Sequence, residues 1–174
     1  MPLILGIDPG SRITGYGLVR VEGNRSAYVA SGEVRVEGET LAQKLHHIFT
    51  ALSAVIETHA PDEAAVEQVF MHRNPDSALK LGQARGAAIC ALAAHGLPVA
   101  EYTPQEIKRA VVGGGRAVKE QVQHMVKALL NLSEVSSADA ADALAVALCH
   151  GHTGQTLARM GAVTVRGRRG GRWR

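Results

Sequence analysis

Apolar and polar positions along this chain fall into stretches of two different periods. Leu3-Ile4-Leu5-Gly6-Ile7 is an apolar run broken only by Gly6, and it closes on Asp8 and a Pro9-Gly10 break. A run without polar alternation, bounded by turn residues, predicts a strand covered on both faces. Residues 14–21 and 26–36 are β-branched and partly alternating, with the turn-prone Glu22-Gly23-Asn24-Arg25 between them. They predict an antiparallel meander that begins at Leu3. Residues 40–59 switch to helical spacing through Leu41, Leu45, Ile48, Phe49, Leu52, Val55 and Ile56, and Pro61-Asp62 stops the helix. Residues 64–70 predict a fourth strand, which again carries a carboxylate, Glu67, inside an apolar run.

The second half alternates helices with one more strand. Residues 75–95 form a long helix rich in small side chains (Gly82, Ala84, Gly86, Ala87, Ala88), suited to close packing against a helix of this chain or of another subunit. Residues 97–100 predict a short fifth strand. Thr103-Pro104-Gln105-Glu106 then opens a helix with a capping box and a proline at its first position. Gly113, Gly114 and Gly115 break the chain before a helix over 118–130, and Ser136 or Ser137 caps a last helix from 138 to about 150. From Gly151 onward the chain reads as tail. This order predicts an α/β fold: a five-stranded mixed sheet, three antiparallel strands then two parallel, with helices on both faces. Residues 1–152 make one domain, and residues 153–174 a basic, disordered C-terminal tail.

Composition changes this picture in two places. A chain of 174 residues with 46% hydrophobic content can bury a real core, and its mean hydropathy of +0.01 is that of an ordinary soluble protein. Asp8, Glu67 and Asp142 each cut an apolar run short of membrane-spanning length. The N-terminus shows no export-signal pattern, which points to a cytoplasmic location, and Cys90 and Cys149, both in apolar helical patterns, are expected to be free buried thiols. The charge is uneven. Arg166, Arg168, Arg169, Arg172 and Arg174 hold five of the 19 basic groups; without them 14 face 16 acids, so the body carries a net −2. A nucleic acid binding the body must therefore be held by local placement of charge, while the arginine tail adds salt-sensitive, sequence-blind affinity.

Four carboxylates stand out. Asp8 ends the first strand, where it either begins the Pro-Gly turn or is delivered to the rim for chemistry. Asp139 and Asp142, three residues apart on a helix, lie about 60° apart around the axis and about 4.5 Å along it, so they share a face. Two readings fit them: an acidic first turn complementing the helix dipole, or ligands that need a cation, since their neighbours are alanine and leucine. With Asp8 and Glu67 they make four acids in otherwise apolar segments. Hard oxygen donors without useful cysteine or histidine partners select Mg²⁺ or Mn²⁺, and four of them suffice for two ions serving displacement at phosphorus. Cys149, His150 and His152 lack a second ligand pair for zinc, and the three glycines lack the spacing of a nucleotide phosphate loop.

Gly6-Ile-Asp-Pro-Gly-Ser-Arg-Ile-Thr-Gly-Tyr-Gly, Glu67-Gln-Val-Phe, Asn74 with Ser77-Ala-Leu-Lys-Leu-Gly-Gln-Ala-Arg-Gly, Gln121-Val-Gln-His-Met-Val and Ala138-Asp-Ala-Ala-Asp-Ala-Leu-Ala together carry a resemblance. Over nearly all of residues 1–150 the chain resembles the RuvC family, bacterial Holliday-junction resolvases of RNase H-like fold. The resemblance implies a crossover junction endodeoxyribonuclease of recombination and DNA repair: a homodimer that nicks two strands of a four-way junction symmetrically and leaves 5′-phosphate ends. Its metal-binding and catalytic acids fall on Asp8, Glu67, Asp139 and Asp142, with two Mg²⁺ per site and Mn²⁺ as a substitute. Some members carry His where this chain has Asp139, a change compatible with metal binding. The branch-migration proteins RuvA and RuvB are the implied partners. The arginine tail lies outside the resemblance.

Four further residues are candidates for touching DNA. Phe70, one of only two phenylalanines, follows the strand that carries Glu67; on its own it reads as core, whereas the resemblance makes it a wedge or stacking group beside an unpaired base. Lys119 sits in the first turn of a helix, where amide groups already favour an anion, and Lys108 and Arg73 are phosphate candidates beside it. Two rivals share these features. An actin-like ATPase or sugar kinase uses a similar Asp-Pro-Gly turn but needs a second phosphate loop and lobe, and a non-catalytic junction-binding module leaves four acids without a purpose.

Overall fold

The computed structural model describes residues 1–23, 25–69 and 74–167. Strand β1 (Leu3–Asp8) pairs antiparallel with β2 (Ile13–Glu22), which pairs antiparallel with β3 (Arg25–Arg35). On the other side of β1, β4 (Glu63–Glu67) and then β5 (Val99–Tyr102) run parallel to it, giving the order β3-β2-β1-β4-β5. Helices α1 (Leu41–His59) and α2 (Pro75–Ala94) cover one face of this sheet. Helices α3 (Pro104–Val112), α4 (Lys119–Leu130) and α5 (Ala138–Gly167) cover the other. The expected five-stranded mixed sheet with two helical layers is present.

Alternation sorts the strands between two cores. Leu3, Leu5 and Ile7 with Ala64 and Val66 pack against α1 and α2, whereas Ile4 and Ala65 pack against α5. By the same period Gly6, Asp8 and Glu67 face the α5 layer. Helix α5 is buried all round from Ala140 to Cys149, apart from Asp142, between the sheet and α3 and α4. A helix so placed has no solvent face to carry charge, which explains its run of alanines.

Several boundaries differ from the sequence expectation, each for a visible reason. The fifth strand is shifted from 97–100 to Val99–Tyr102: the Leu97 N–H donates to the Leu92 carbonyl (3.2 Å), so this apolar residue closes α2 with Gly96 at φ 71°. The fourth strand ends at Glu67, and Phe70 lies outside the described residues. Ser137 rather than Ser136 caps α5, its Oγ accepting the Ala140 N–H at 3.1 Å. Helix α5 does not stop near His150 but runs to Gly167, through a stretch without proline and with the helix formers Leu157, Ala158 and Met160. Residues 168–174 lie outside the described residues. Cys149 is buried, its thiol pushed up to about 12 by that burial, but Cys90 is exposed on α2, contrary to the expectation of two buried thiols. Among the described residues no helix is long and apolar enough to cross a membrane.

Candidate active site

The last parallel pair between β1 and β4 joins Ile7 to Val66, so Asp8 and Glu67 stand next in line at the same sheet edge. The turn after Asp8 is tied by Thr14, fully buried, whose hydroxyl donates to the Gly10 carbonyl (3.1 Å) and accepts the Gly10 N–H (3.3 Å). On β4, the Gln68 N–H donates to the Tyr102 carbonyl at 2.8 Å, and Arg85 of α2 donates through Nε to the Glu67 carbonyl at 3.2 Å. Both acids are thus held through their backbones.

Helix α5 adds the other two acids because three glycines let it lie directly on the sheet. Gly6 and Gly17 are cross-strand partners, as are Asp8 and Gly15. A Cβ at Gly6 would overlap the Ala143 carbonyl oxygen, one at Gly15 the Asp139 carbonyl oxygen, and one at Gly17 would stand 2.8 Å from the Leu144 backbone nitrogen. Backbone therefore rests on backbone along the first two turns of α5, where Asp139 and Asp142 project. Sequence reading singled out neither Gly15 nor Gly17 for this role. The signal was there: alternate glycines within a strand mark a close approach of another chain segment.

Burial and mutual repulsion dominate the electrostatics. Asp8 is pushed up to about 8, first by burial, then by the charges of Glu67 and Asp142, with Asp139 the weakest of the four influences from acids. Glu67 is raised as well, chiefly by burial, against a hydrogen bond from Asp8 and the lowering charges of Lys119 and Lys108. Burial and the neighbouring acidic charges thus favour protonation of this pair when no cation is near. Lys119, at the start of α4, places Nζ 2.6 Å from Asp142 Oδ2, and that partner raises its pKa.

Lys108 and Lys119 line a hollow of about 270 Å³ with Glu67 and Asp142. A second hollow, of about 200 Å³, opens on the other side of Glu67 against Asp8 and Pro104. The structure thus gathers Asp8, Glu67, Asp142, Lys108 and Lys119 round one rim, with Asp139 at its margin. Phe70 and Arg73 lie outside the described residues. His150 stands 2.8 Å from both Glu63 Oε2 and the Tyr102 hydroxyl, and His152 Nδ1 lies 3.0 Å from the Ala110 carbonyl.

The donor set at this rim is all carboxylate, which fits a hard divalent cation of the Mg²⁺ or Mn²⁺ class. The raised pKa values fit too, because a cation would offset the charge that burial penalises. Among the described residues, however, no three such side chains already close round a single point. Seating an ion requires rotation of these side chains, with Asp142 turning from Lys119.

A family sequence model described as Crossover junction endodeoxyribonuclease RuvC matches residues 4–150. This chain belongs to the RuvC family. Similar family members include the RuvC of Hahella chejuensis, 60% identical over 161 residues (92% of this chain and 94% of that one). Another is the RuvC of Tolumonas auensis, 60% identical over 171 residues, or 97% and 99% of the two chains. Among solved structures, T. thermophilus RuvC in complex with a Holliday junction substrate superposes with a TM-score of 0.84 at 33% identity, covering 90% of this chain and 96% of that one. The yeast mitochondrial Holliday junction resolvase Ydc2 shares the fold, with a TM-score of 0.64 at 15% identity. The sheet and its helical layers are the RNase H-like architecture of RuvC.

Proposed function

We propose that this chain resolves four-way DNA junctions by hydrolysing one phosphodiester bond in each of two opposed strands, in recombination and DNA repair. The observation that carries this reading is the assembly at one sheet edge of carboxylates from β1, β4 and α5, with Lys108 and Lys119 beside them. Asp8, Glu67, Asp139 and Asp142 would hold two Mg²⁺ ions, for which Mn²⁺ would substitute. Those ions, when bound, supply the positive charge that makes water a nucleophile at neutral pH and steadies the departing oxygen.

The chain's own residues then do the rest. Lys119 and Lys108 bear on the phosphate oxygens, and the β-ladder holds Asp8 and Glu67 still while charge develops. Water adds to phosphorus, the bond to the 3′ oxygen breaks, and the products are a 5′-phosphate and a 3′-hydroxyl. The dedicated test is a labelled synthetic four-way junction incubated with and without Mg²⁺. Paired symmetric nicks only with the metal are the expected result; binding without cutting would favour a junction-binding module, and ATP turnover a kinase-like activity.

Two substrate strands cut symmetrically call for a two-fold enzyme, so the working unit in this reading is a homodimer. On α2, Ala84, Ala88, Ala91 and Leu92 are consumed by packing within the chain, while Gly82 and Gly86 have open space beside them and Leu79 is 67% exposed. That uncovered stripe supports a helix-to-helix contact between protomers. RuvA and RuvB as partners and the cytoplasm as the place of action follow from the same reading. In this reading Phe70 is the wedge beside the unpaired base, and Arg73, three residues further along the sequence, a phosphate contact. Phe70→Ala is expected to leave metal binding intact and to slow cutting, since a stacked base is worth about 1–3 kcal/mol; normal cleavage kinetics on the junction would remove the wedge.

A further inference from the structure

The hollow that Lys108 and Lys119 line opens toward α3 and α4, whereas a larger cleft lies on the opposite layer of the sheet. It has a volume of about 660 Å³ and sits between the turn after β1, the first turns of α1 and the first turns of α2. Its walls carry Arg12, Lys44 and Lys80 against the single carboxylate of Asp76. Lys80 is paired with Asp76 at 2.7 Å, whereas Arg12 and Lys44 have no acidic partner among the described residues. Two uncompensated cations in one cleft are a marked local excess on a body whose net charge is negative.

Position gives this excess a meaning. Arg12 follows Asp8 by four residues, so the two Cα atoms are at most about 14 Å apart, or about four nucleotides at 3.4 Å of rise each. The turn is tied by Thr14 and cannot wander. The acids at the sheet edge are thus flanked on both layers by cations: Lys108 and Lys119 on α3 and α4, and Arg12 and Lys44 on the side of α1 and α2. Ser77, at the head of α2, offers a hydroxyl in the same cleft.

We infer that a DNA strand crosses the carboxyl edge of the sheet from one helical layer to the other, and that the cleft of Arg12 and Lys44 takes its sugar–phosphate backbone a few nucleotides beyond the cut. The inference rests on the nuclease reading for its substrate, but only on charge and placement for the site. Lys80 is held by Asp76 and contributes less. Contacts of this kind position DNA and carry no sequence information.

The test is the salt dependence of junction binding by the full-length protein, read by fluorescence anisotropy in Ca²⁺ between 50 and 200 mM KCl. Arg12→Ala with Lys44→Ala is expected to lower the slope of log affinity against log salt by about 1.8 for each protomer engaged, and to weaken binding at 150 mM roughly 10–30-fold. Arg12→Lys with Lys44→Arg is expected to restore both. Arg20→Ala removes one positive charge from an exposed position at the far end of β2 and is expected to leave the slope alone. An unchanged slope in the double alanine variant, or an equal loss in Arg20→Ala, overturns the cleft as a backbone site. Failure of the nuclease reading shows separately, as absence of Mg²⁺-dependent nicking by the unaltered protein, and would leave a positive binding result standing.

Discussion

Asp8→Asn is expected to abolish junction cleavage while leaving junction binding intact and making the metal-free protein more stable. The loss of rate should exceed the about 10²–10³-fold seen when a single neutral transition-state donor is removed, because here a charge that holds the cation is lost. Affinity should hold or rise, since a negative charge leaves the phosphate path. The stability gain follows from linkage. Asp8 is raised in the folded protein to about 8 from an ordinary 3.8, so the native state binds more protons than the unfolded chain between those values. Metal-free stability therefore falls as pH climbs from about 4 to 8, and that fall vanishes when the carboxyl becomes an amide. Thermal melts in EDTA at pH 5 and pH 8 check this: the variant's advantage should widen with pH, each kcal/mol appearing as about 2–4 °C in Tm. Retained cutting, or an advantage that shrinks toward pH 8, would show that Asp8 is not part of a buried acidic cluster.

Gly15→Ala is the second large effect, and it acts without touching an acid. The added methyl would overlap the Asp139 carbonyl oxygen, which belongs to the first turn of α5 and cannot retract while Ser137 and the helix hold it. Overpacking of this kind costs up to about 3 kcal/mol or a Tm fall of roughly 6–12 °C. Cleavage should drop further than stability does, because α5 must lift from the sheet and a displacement of about 1 Å in a catalytic group costs about 10²-fold. Gly154→Ala provides the contrast. Gly154 lies in the same helix with nothing within 4 Å of a new methyl, so the change should stabilise by about 0.5–1 kcal/mol. Single-turnover cleavage beside thermal melts separates the two variants; equal behaviour would mean that α5 does not rest on the strand glycines.

Both variants bear on how the acids become a site. Asp8 and Glu67 are neighbours because β1 and β4 are parallel and in register, an arrangement that costs only strand pairing. Asp142 reaches them only if the helix axis comes closer to the sheet than side chains ordinarily permit. Gly6, Gly15 and Gly17 remove those side chains at three adjacent points of the β1–β2 ladder. The same closeness buries Asp8 and Glu67, which raises both, and adds the repulsion of neighbouring acids. A buried acidic cluster is thus a built-in demand for positive charge, met in part by Lys119 on Asp142.

Much of this molecule was legible residue by residue. Apolar runs ending in Asp8 and Glu67, the helical spacing from Leu41 to Ile56, and the Thr103–Glu106 capping box are local patterns. Burial alternation and capping act over a few residues, so they leave their mark in contiguous sequence. The same locality explains the errors at element ends. Leu97 looks like strand, but it spends its N–H on closing α2; the chain past His150 looks like tail, but nothing in it stops a helix.

What the sequence could determine by itself was therefore the kind of chemistry and the layered α/β fold: four acids in apolar surroundings, delivered by two strands and a helix. Only the tertiary structure decided which glycines admit α5, that Lys119 pairs with Asp142, that Cys90 is exposed, and that Arg12 and Lys44 share a cleft. The reason is physical. Whether a residue prefers burial or a cap depends on its own atoms and near neighbours, whereas distance between charges and clearance between backbones depend on segments far apart in the chain, as Gly15 is from Asp139, which meet only when the chain has closed on itself.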